Sequence, residues 1–266
     1  MRLGCCGSMI SPESDPIGIE IIEALAEMGF DYIELSLAGM MDLPEAAFAD
    51  VARRIELSGI RCEACNNFFP PRVRLTGAEA RLSTAVEYAM AALDRAAYLG
   101  VQVIVFGSSA AKNVPMGFDL GVAWKQLVEL LQHLGPEAGA RGITIAIEPL
   151  NRRESNIINL ASEGLQLARE VNHPNVQLLI DYYHLMMEGE EPEMVIAAGA
   201  ALRHLHMARV LGRAFPTQPD EDMGRFFQVV RQSGYGGRCS IEAHTRNFAA
   251  EAPPALRILR EATKEL

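Results

Sequence analysis

Eight short, β-prone apolar runs alternate with eight stretches of helical spacing along the chain, and no linker, charge block or low-complexity segment separates them. Strand and helix in strict alternation cover both faces of a parallel sheet, which leaves two architectures: a closed (β/α)8 barrel, the TIM barrel, or an open doubly wound sheet. The 266 residues suit one barrel domain spanning 1–266, since such a barrel takes about 250 residues. The closed barrel is therefore the expected fold and the open sheet its alternative.

Punctuation residues mark the elements. Residues 2–7 read as the first strand, and Asp15-Pro16 reads as the opening of a helix that Gly29 closes. A second strand at 32–37 precedes a helix from Pro44 to Gly59, and the third strand is 61–66. Thr76 with Glu79 reads as a capping box ahead of an alanine-rich helix that stops at Gly100. Strands follow at 101–106, 143–147, 176–181, 202–207 and 238–243. The helices between them hold Trp124 or span 160–171, 192–199 and 222–232, and Pro253 begins the last.

Four of the strands end in groups that bind or move charge. Ile143, Ile145 and Ile147 point to one face while Thr144, Ala146 and Glu148 point to the other, and the small, polar face is the one expected inside. The same design ends in Asp181, in His206 and in Glu242. Barrel sites lie at the C-terminal ends of the strands, where all four fall. Three carboxylates gathered inside a barrel raise one another's pKa, as burial also does, and a divalent cation resolves the conflict. Glu148, Asp181, His206 and Glu242 are thus candidate ligands of one metal ion. Three hard oxygens and one nitrogen suit Mn²⁺, the first expectation, or Mg²⁺, Co²⁺ or Zn²⁺. His184, three positions past Asp181, is placed to face a substrate oxygen. His204 shares the His206 face one layer deeper, as a hydrogen-bonded neighbour. Glu34 points inward from the second strand, either to substrate or into an internal polar network. The longest loops, at 67–75, 108–116 and 208–220, fall on the same end of the barrel.

A formal charge of -10 excludes a nucleic-acid or anionic-membrane surface, which needs clustered positive charge. The chain enters a strand-like run at once, without an apolar leader, and no stretch approaches the roughly 20 apolar residues of a membrane helix. Five cysteines are an odd number that implies no disulfide framework, and a cytoplasmic location with reduced thiols is expected. Cys62 and Cys65 form a CxxC, but an odd separation in a strand puts them on opposite faces. They are expected to be buried thiols and not a zinc or redox pair.

Taken together, these motifs resemble the xylose-isomerase-like superfamily of divalent-metal (β/α)8 barrels, most of all its ketose 3-epimerase and hydroxypyruvate isomerase branches. Glu148-Pro149-Leu150-Asn151-Arg152-Arg153-Glu154 is similar to that family's Glu-x-x-Asn-Arg-x-Glu, Asp181-Tyr182-Tyr183-His184 to its Asp-x-x-His, and His204-Leu205-His206 to its His-x-His. The run from Gly234 to Glu242 is similar to its Gly-Tyr-x-Gly-x-x-x-x-Glu. The resemblance implies that Glu148, Asp181, His206 and Glu242 bind the metal and that Glu148 and Glu242 also exchange protons. It further implies that Glu154, His184 and an arginine hold sugar hydroxyls, and that the chain forms a homodimer or homotetramer. The arginine is Arg213, with Arg209 the alternative, because the loop 208–217 departs from the family's pattern of an acidic residue followed by Arg and a Pro-Gly-x-Gly turn.

The chemistry expected of such a site is proton abstraction beside a carbonyl. A cation chelated by the carbonyl and an adjacent hydroxyl stabilises the enediolate that forms. Return of a proton to the opposite face of the same carbon gives epimerisation, and return to the neighbouring carbon gives isomerisation. No Gly-rich phosphate loop is present, so an unphosphorylated ketose or small hydroxy-keto acid is the expected substrate. The alternatives are an inosose dehydratase-like lyase and a catalytically silent sugar-binding protein.

Overall fold

The computed structural model describes residues 1–264. The strands are β1 (Arg2–Cys6), β2 (Tyr32–Ser36), β3 (Arg61–Asn66), β4 (Val103–Phe106), β5 (Thr144–Ile147), β6 (Val176–Asp181), β7 (Leu202–Met207) and β8 (Arg238–Ile241). They form one closed barrel in chain order, parallel throughout, with β8 hydrogen-bonded back to β1. The alternation along β5 is as expected: Ile143, Ile145 and Ile147 pack outward into the helix layer, while Ala146 joins Tyr32, Ala64, Val103, Val105 and Leu179 in a small cluster inside the barrel. Above that apolar layer the interior turns polar, with Glu34, His204, His206 and Ser240 fully buried.

Two bulges set which side chains face inward. The β2/β3 register jumps so that Ile33 pairs with Cys62 but Glu34 with Ala64, leaving Glu63 as the extra residue. Glu63 is held by Arg2 and Arg238 at 2.5 and 2.7 Å. A one-residue insertion flips the faces of everything beyond it. Cys62 and Cys65 therefore share the outer face instead of opposing one another, with their free thiols 3.9 Å apart. A second bulge on β7 lets Leu202 pack outward and still turns His204 and His206 into the barrel.

Several helix boundaries differ from those the sequence predicts. Asp15 does not begin a helix. Its carboxylate accepts backbone N–H groups of Ile17, Gly18 and Glu20 in an irregular turn, and the helix spans Ile22–Met28. Thr76 is no cap either, since its buried hydroxyl donates to the carbonyls of Lys112 and Asn113, and the next helix starts at Leu82. The last helix, Phe248–Ala262, is capped by Asn247 and carries Pro253 inside it. Short helices at Leu37–Met41 and Tyr182–Met187 follow their strands directly. Among the described residues no helix is long and apolar enough to cross a membrane.

Candidate active site

Each group of the site is placed by a strand end. Asp181 closes β6 and His206 lies in β7, whereas Glu148 and Glu242 are the residues just past β5 and β8. All four are buried. The Asp181 carboxylate also accepts the Tyr183 N–H at 2.8 Å, capping the helix that carries His184. Gly107, after β4, makes room for the cluster: a Cβ there would collide with the Glu148 carboxylate.

His206 joins two layers. Its Nδ1 lies 3.0 Å from Glu148 and 3.3 Å from Glu242, and its Nε2 lies 3.0 Å from Glu34 Oε1. Glu34 Oε2 accepts from Ser240 at 2.6 Å and contacts His204 Nε2 at 2.9 Å. Glu34 thus belongs to an internal polar network. Burial opposes its charge, but His206 and His204 outweigh that and hold its pKa well below the usual carboxylate range. Burial likewise opposes charge on His206, and Glu34 with Glu242 reverses the effect and raises it.

Glu148, Asp181, His184 and Glu242 offer ligand atoms that all lie within 4.8 Å of one another. His184 thus stands where the sequence places only a substrate contact, while His206 belongs to a neighbouring group with Glu34 and Cys6. Tautomers decide between the two histidines. The Asn151 backbone N–H donates to His184 Nδ1 at 3.2 Å, so in the neutral ring the proton sits on Nε2, the atom that faces both Asp181 and the Arg213 guanidinium at 3.5 Å. A ring nitrogen carrying a proton can donate to an oxygen but cannot ligate a cation. His206 is arranged the opposite way, with Nε2 toward the Glu34 carboxylate and Nδ1 directed at Glu148 and Glu242, the usual set-up of a metal-binding imidazole.

Arg213 reaches into this cluster, paired with Glu242, 3.5 Å from Asp181 and 3.4 Å from Glu154. Its guanidinium also lies over the Tyr183 ring, 4.9 Å from the centroid. The loop earns this reach with a left-handed backbone at Arg213, φ 46, after Gly212 at φ 74. Strained non-glycine residues of this kind collect at functional sites. Arg209 does not enter the cluster, because its N–H is tied to the Ala214 carbonyl at 2.8 Å at the base of the loop.

The two glutamates are pushed in opposite directions. Burial and then Glu242 raise Glu148, whereas at Glu242 burial is outweighed by His206 and Arg213 and the pKa falls. Burial lifts Asp181 to about 6 against the pull of Arg213. Sequence reasoning missed Lys112, fully buried, whose ammonium donates to the Glu148 carbonyl at 3.3 Å and is drawn down to about 8 by burial against Glu148 and Glu154. It also missed Asn66, which donates to Glu242 at 3.3 Å and keeps a buried, unpartnered Oδ1. Neither lies in a motif, and a lysine in a loop carries no signal of burial.

The donor set fits a divalent cation. Beside the histidines, the four carboxylates of Glu148, Glu154, Asp181 and Glu242 are met by two cationic side chains, Arg213 and Lys112, so their formal charges leave two negative charges to balance. Hard oxygens with one imidazole nitrogen are ligands for such ions.

Fold and site together define the class: a (β/α)8 barrel with a buried carboxylate and histidine cluster at the C-terminal ends of its strands. A family model of the xylose isomerase-like TIM barrel matches residues 22–265, and the chain belongs to that family. It is 27% identical over 229 residues to an L-ribulose 3-epimerase of Methylomonas sp. (strain DH-1), covering 84% of this chain and 77% of that one. It is 26% identical over 259 residues to a ketose 3-epimerase of Arthrobacter globiformis, covering 94% and 86%. The crystal structure of D-psicose 3-epimerase with D-tagatose from Clostridium cellulolyticum H10 superposes with a TM-score of 0.87 at 20% identity over 99% of both chains, which shows a shared fold.

Proposed function

We propose that the protein is a metal-dependent sugar epimerase or isomerase that moves a proton beside the carbonyl of an unphosphorylated ketose or small hydroxy-keto acid. The observation that carries this reading is the pair Glu148 and Glu242, two buried carboxylates 3.0 and 3.3 Å from His206 Nδ1 whose environments split their pKa values. Carboxylates pushed apart in this way can act as one base and one acid. Glu242, whose pKa is lowered, takes the proton, and Glu148, whose pKa is raised, returns one from its own side. The roles reverse in the opposite direction. Inversion at a single carbon needs two such groups from different parts of the barrel, and β5 and β8 supply them. The epimerase names of the relatives agree with this chemistry.

Glu148, Asp181, His206 and Glu242 would hold one divalent cation, Mn²⁺ foremost, and bound there it supplies the positive charge that makes a proton beside a carbonyl acidic. Glu34 fixes the orientation of His206. His184 donates from Nε2 to a substrate oxygen, and Glu154 and Arg213 bind hydroxyls on the same side. The test is a panel of ketoses, hydroxypyruvate and inososes incubated with added Mn²⁺ or with chelator, the products being separated by chromatography. A ketose or hydroxy-keto acid converted only with metal supports the reading. Conversion in excess chelator, or of an inosose alone, overturns it.

A further inference from the structure

A cavity of about 880 Å³ opens outward from Arg213 and Glu154, and Arg209 and Arg153 line it. Arg209 is only partly exposed, and its Nε is buried without a hydrogen-bond partner. Among the described residues its guanidinium makes no ion pair, and neither does that of Arg153. The contrast with neighbouring arginines is plain: Arg152 pairs with Glu188, Arg213 with Glu242, and Arg238 with Glu63. In a chain carrying 34 acidic residues and a net charge of -10, a partly buried guanidinium without an acid is a group whose partner comes from outside.

The carboxylates of the cavity are already engaged. Glu154 faces Arg213, and Asp220 accepts the N–H groups of Asp222 and Met223. Asp222 lies in the first turn of the helix Glu221–Ser233, where the helix end balances its charge. The partly buried guanidinium of Arg209 is left over, with the solvent-exposed Arg153 beside it on the cavity lining. The backbone of Arg209 is held by its N–H bond to Ala214 and by buried Ala208, so no main-chain freedom there remains to be lost on binding.

We propose that Arg209, with Arg153 lining the same cavity, anchors a carboxylate at the end of the substrate remote from the reacting carbons, so that the substrate is a keto sugar acid and not a neutral ketose. This rests on the reading above that the reacting carbons lie between Glu148 and Glu242. A guanidinium recognises carboxylate and phosphate alike. The carboxylate is favoured because the N–H groups that a phosphate would use at the Glu221 helix start are taken by Asp220.

The test is isothermal titration of the Mn²⁺-supplemented full chain with D-fructose, D-fructuronate and D-fructose 6-phosphate. D-Fructuronate is expected to bind about tenfold or more tightly than D-fructose, as a charge-assisted, partly desolvated contact provides. Arg209→Gln should erase that preference while leaving the affinity for D-fructose and for Mn²⁺ unchanged. Should that variant not fold, Arg153→Gln is expected to narrow the preference in the same direction. Equal binding of D-fructose and D-fructuronate by the parent protein, or a preference that survives both changes, overturns the proposal. A gain confined to the phosphate overturns the assignment to a carboxylate. Because these are binding measurements, failure of the epimerase reading shows separately, as an absence of turnover with any of the three sugars.

Discussion

Replacing Glu34 by Gln perturbs the site without replacing any of the proposed metal ligands. Glu34 is fully buried and accepts at both oxygens, from His206 Nε2 at 3.0 Å and from His204 Nε2 at 2.9 Å, with Ser240 adding a third bond. Glutamine keeps the shape but turns one oxygen into an NH₂ group that meets a ring N–H, leaving a buried donor unsatisfied at a cost of about 1–3 kcal/mol. In a chain of this size that lowers Tm by roughly 2–6 °C. The larger effect falls on the cation. His206 loses the carboxylate that fixes its ring and raises its basicity, and changes of this kind weaken metal affinity by about 10- to 100-fold. Titration of Mn²⁺ followed by the electron paramagnetic resonance signal of the free ion measures this directly. If Glu34→Gln loses the expected stability but binds Mn²⁺ within twofold of the parent, His206 is not a ligand. The nitrogen donor would then be His184, against the tautomer argument.

Arg213→Ala is expected to raise KM strongly while Mn²⁺ affinity stays nearly unchanged, because a guanidinium cannot ligate a cation; KM and metal titrations side by side check it. Gly107→Ala should fold, since the group it strikes is the Glu148 carboxylate and not backbone. Displacing that carboxylate should still cost roughly 10²-fold in kcat, and retention of near-full turnover with an unchanged Tm would contradict the placement. Asp181 is lifted to about 6 by burial, so protons compete with the cation below that pH and Mn²⁺ affinity should weaken as pH falls from 8 to 5. A flat affinity over that range removes Asp181 from the ligand set.

The strand ends were legible because alternation along a barrel strand turns one side chain in two inward, and Glu148, Asp181, His206 and Glu242 each fall at or near the end of a short strand-like run. The barrel itself followed from the same alternation. What stayed hidden depended on register or on tertiary contact. The bulge at Glu63 carries no composition signal, so Cys62 and Cys65 were expected on opposite faces. The roles of Asp15 and Thr76 were hidden for a related reason: the same side-chain oxygens that cap helices also close irregular turns, and only the partners tell them apart. Lys112 reads as a solvated loop residue until the fold buries it. The choice between Arg209 and Arg213 needed the loop's backbone, because the pairing of Arg209 with Ala214 and the left-handed φ at Arg213 determine which guanidinium turns inward.

The central claim is that Glu148 and Glu242 carry a proton to and from a carbon beside the carbonyl, and deuterium from solvent reports on this most directly. The Mn²⁺-supplemented protein, run in deuterated water with a ketose or keto acid that it converts, should place deuterium at the inverted carbon of the product. Glu148→Gln and Glu242→Gln should each lower that exchange by roughly 10²-fold or more, and the double variant should be little worse than the worse single one. Product formed without solvent deuterium, or near-normal exchange in both single variants with metal bound, would contradict the two-glutamate account.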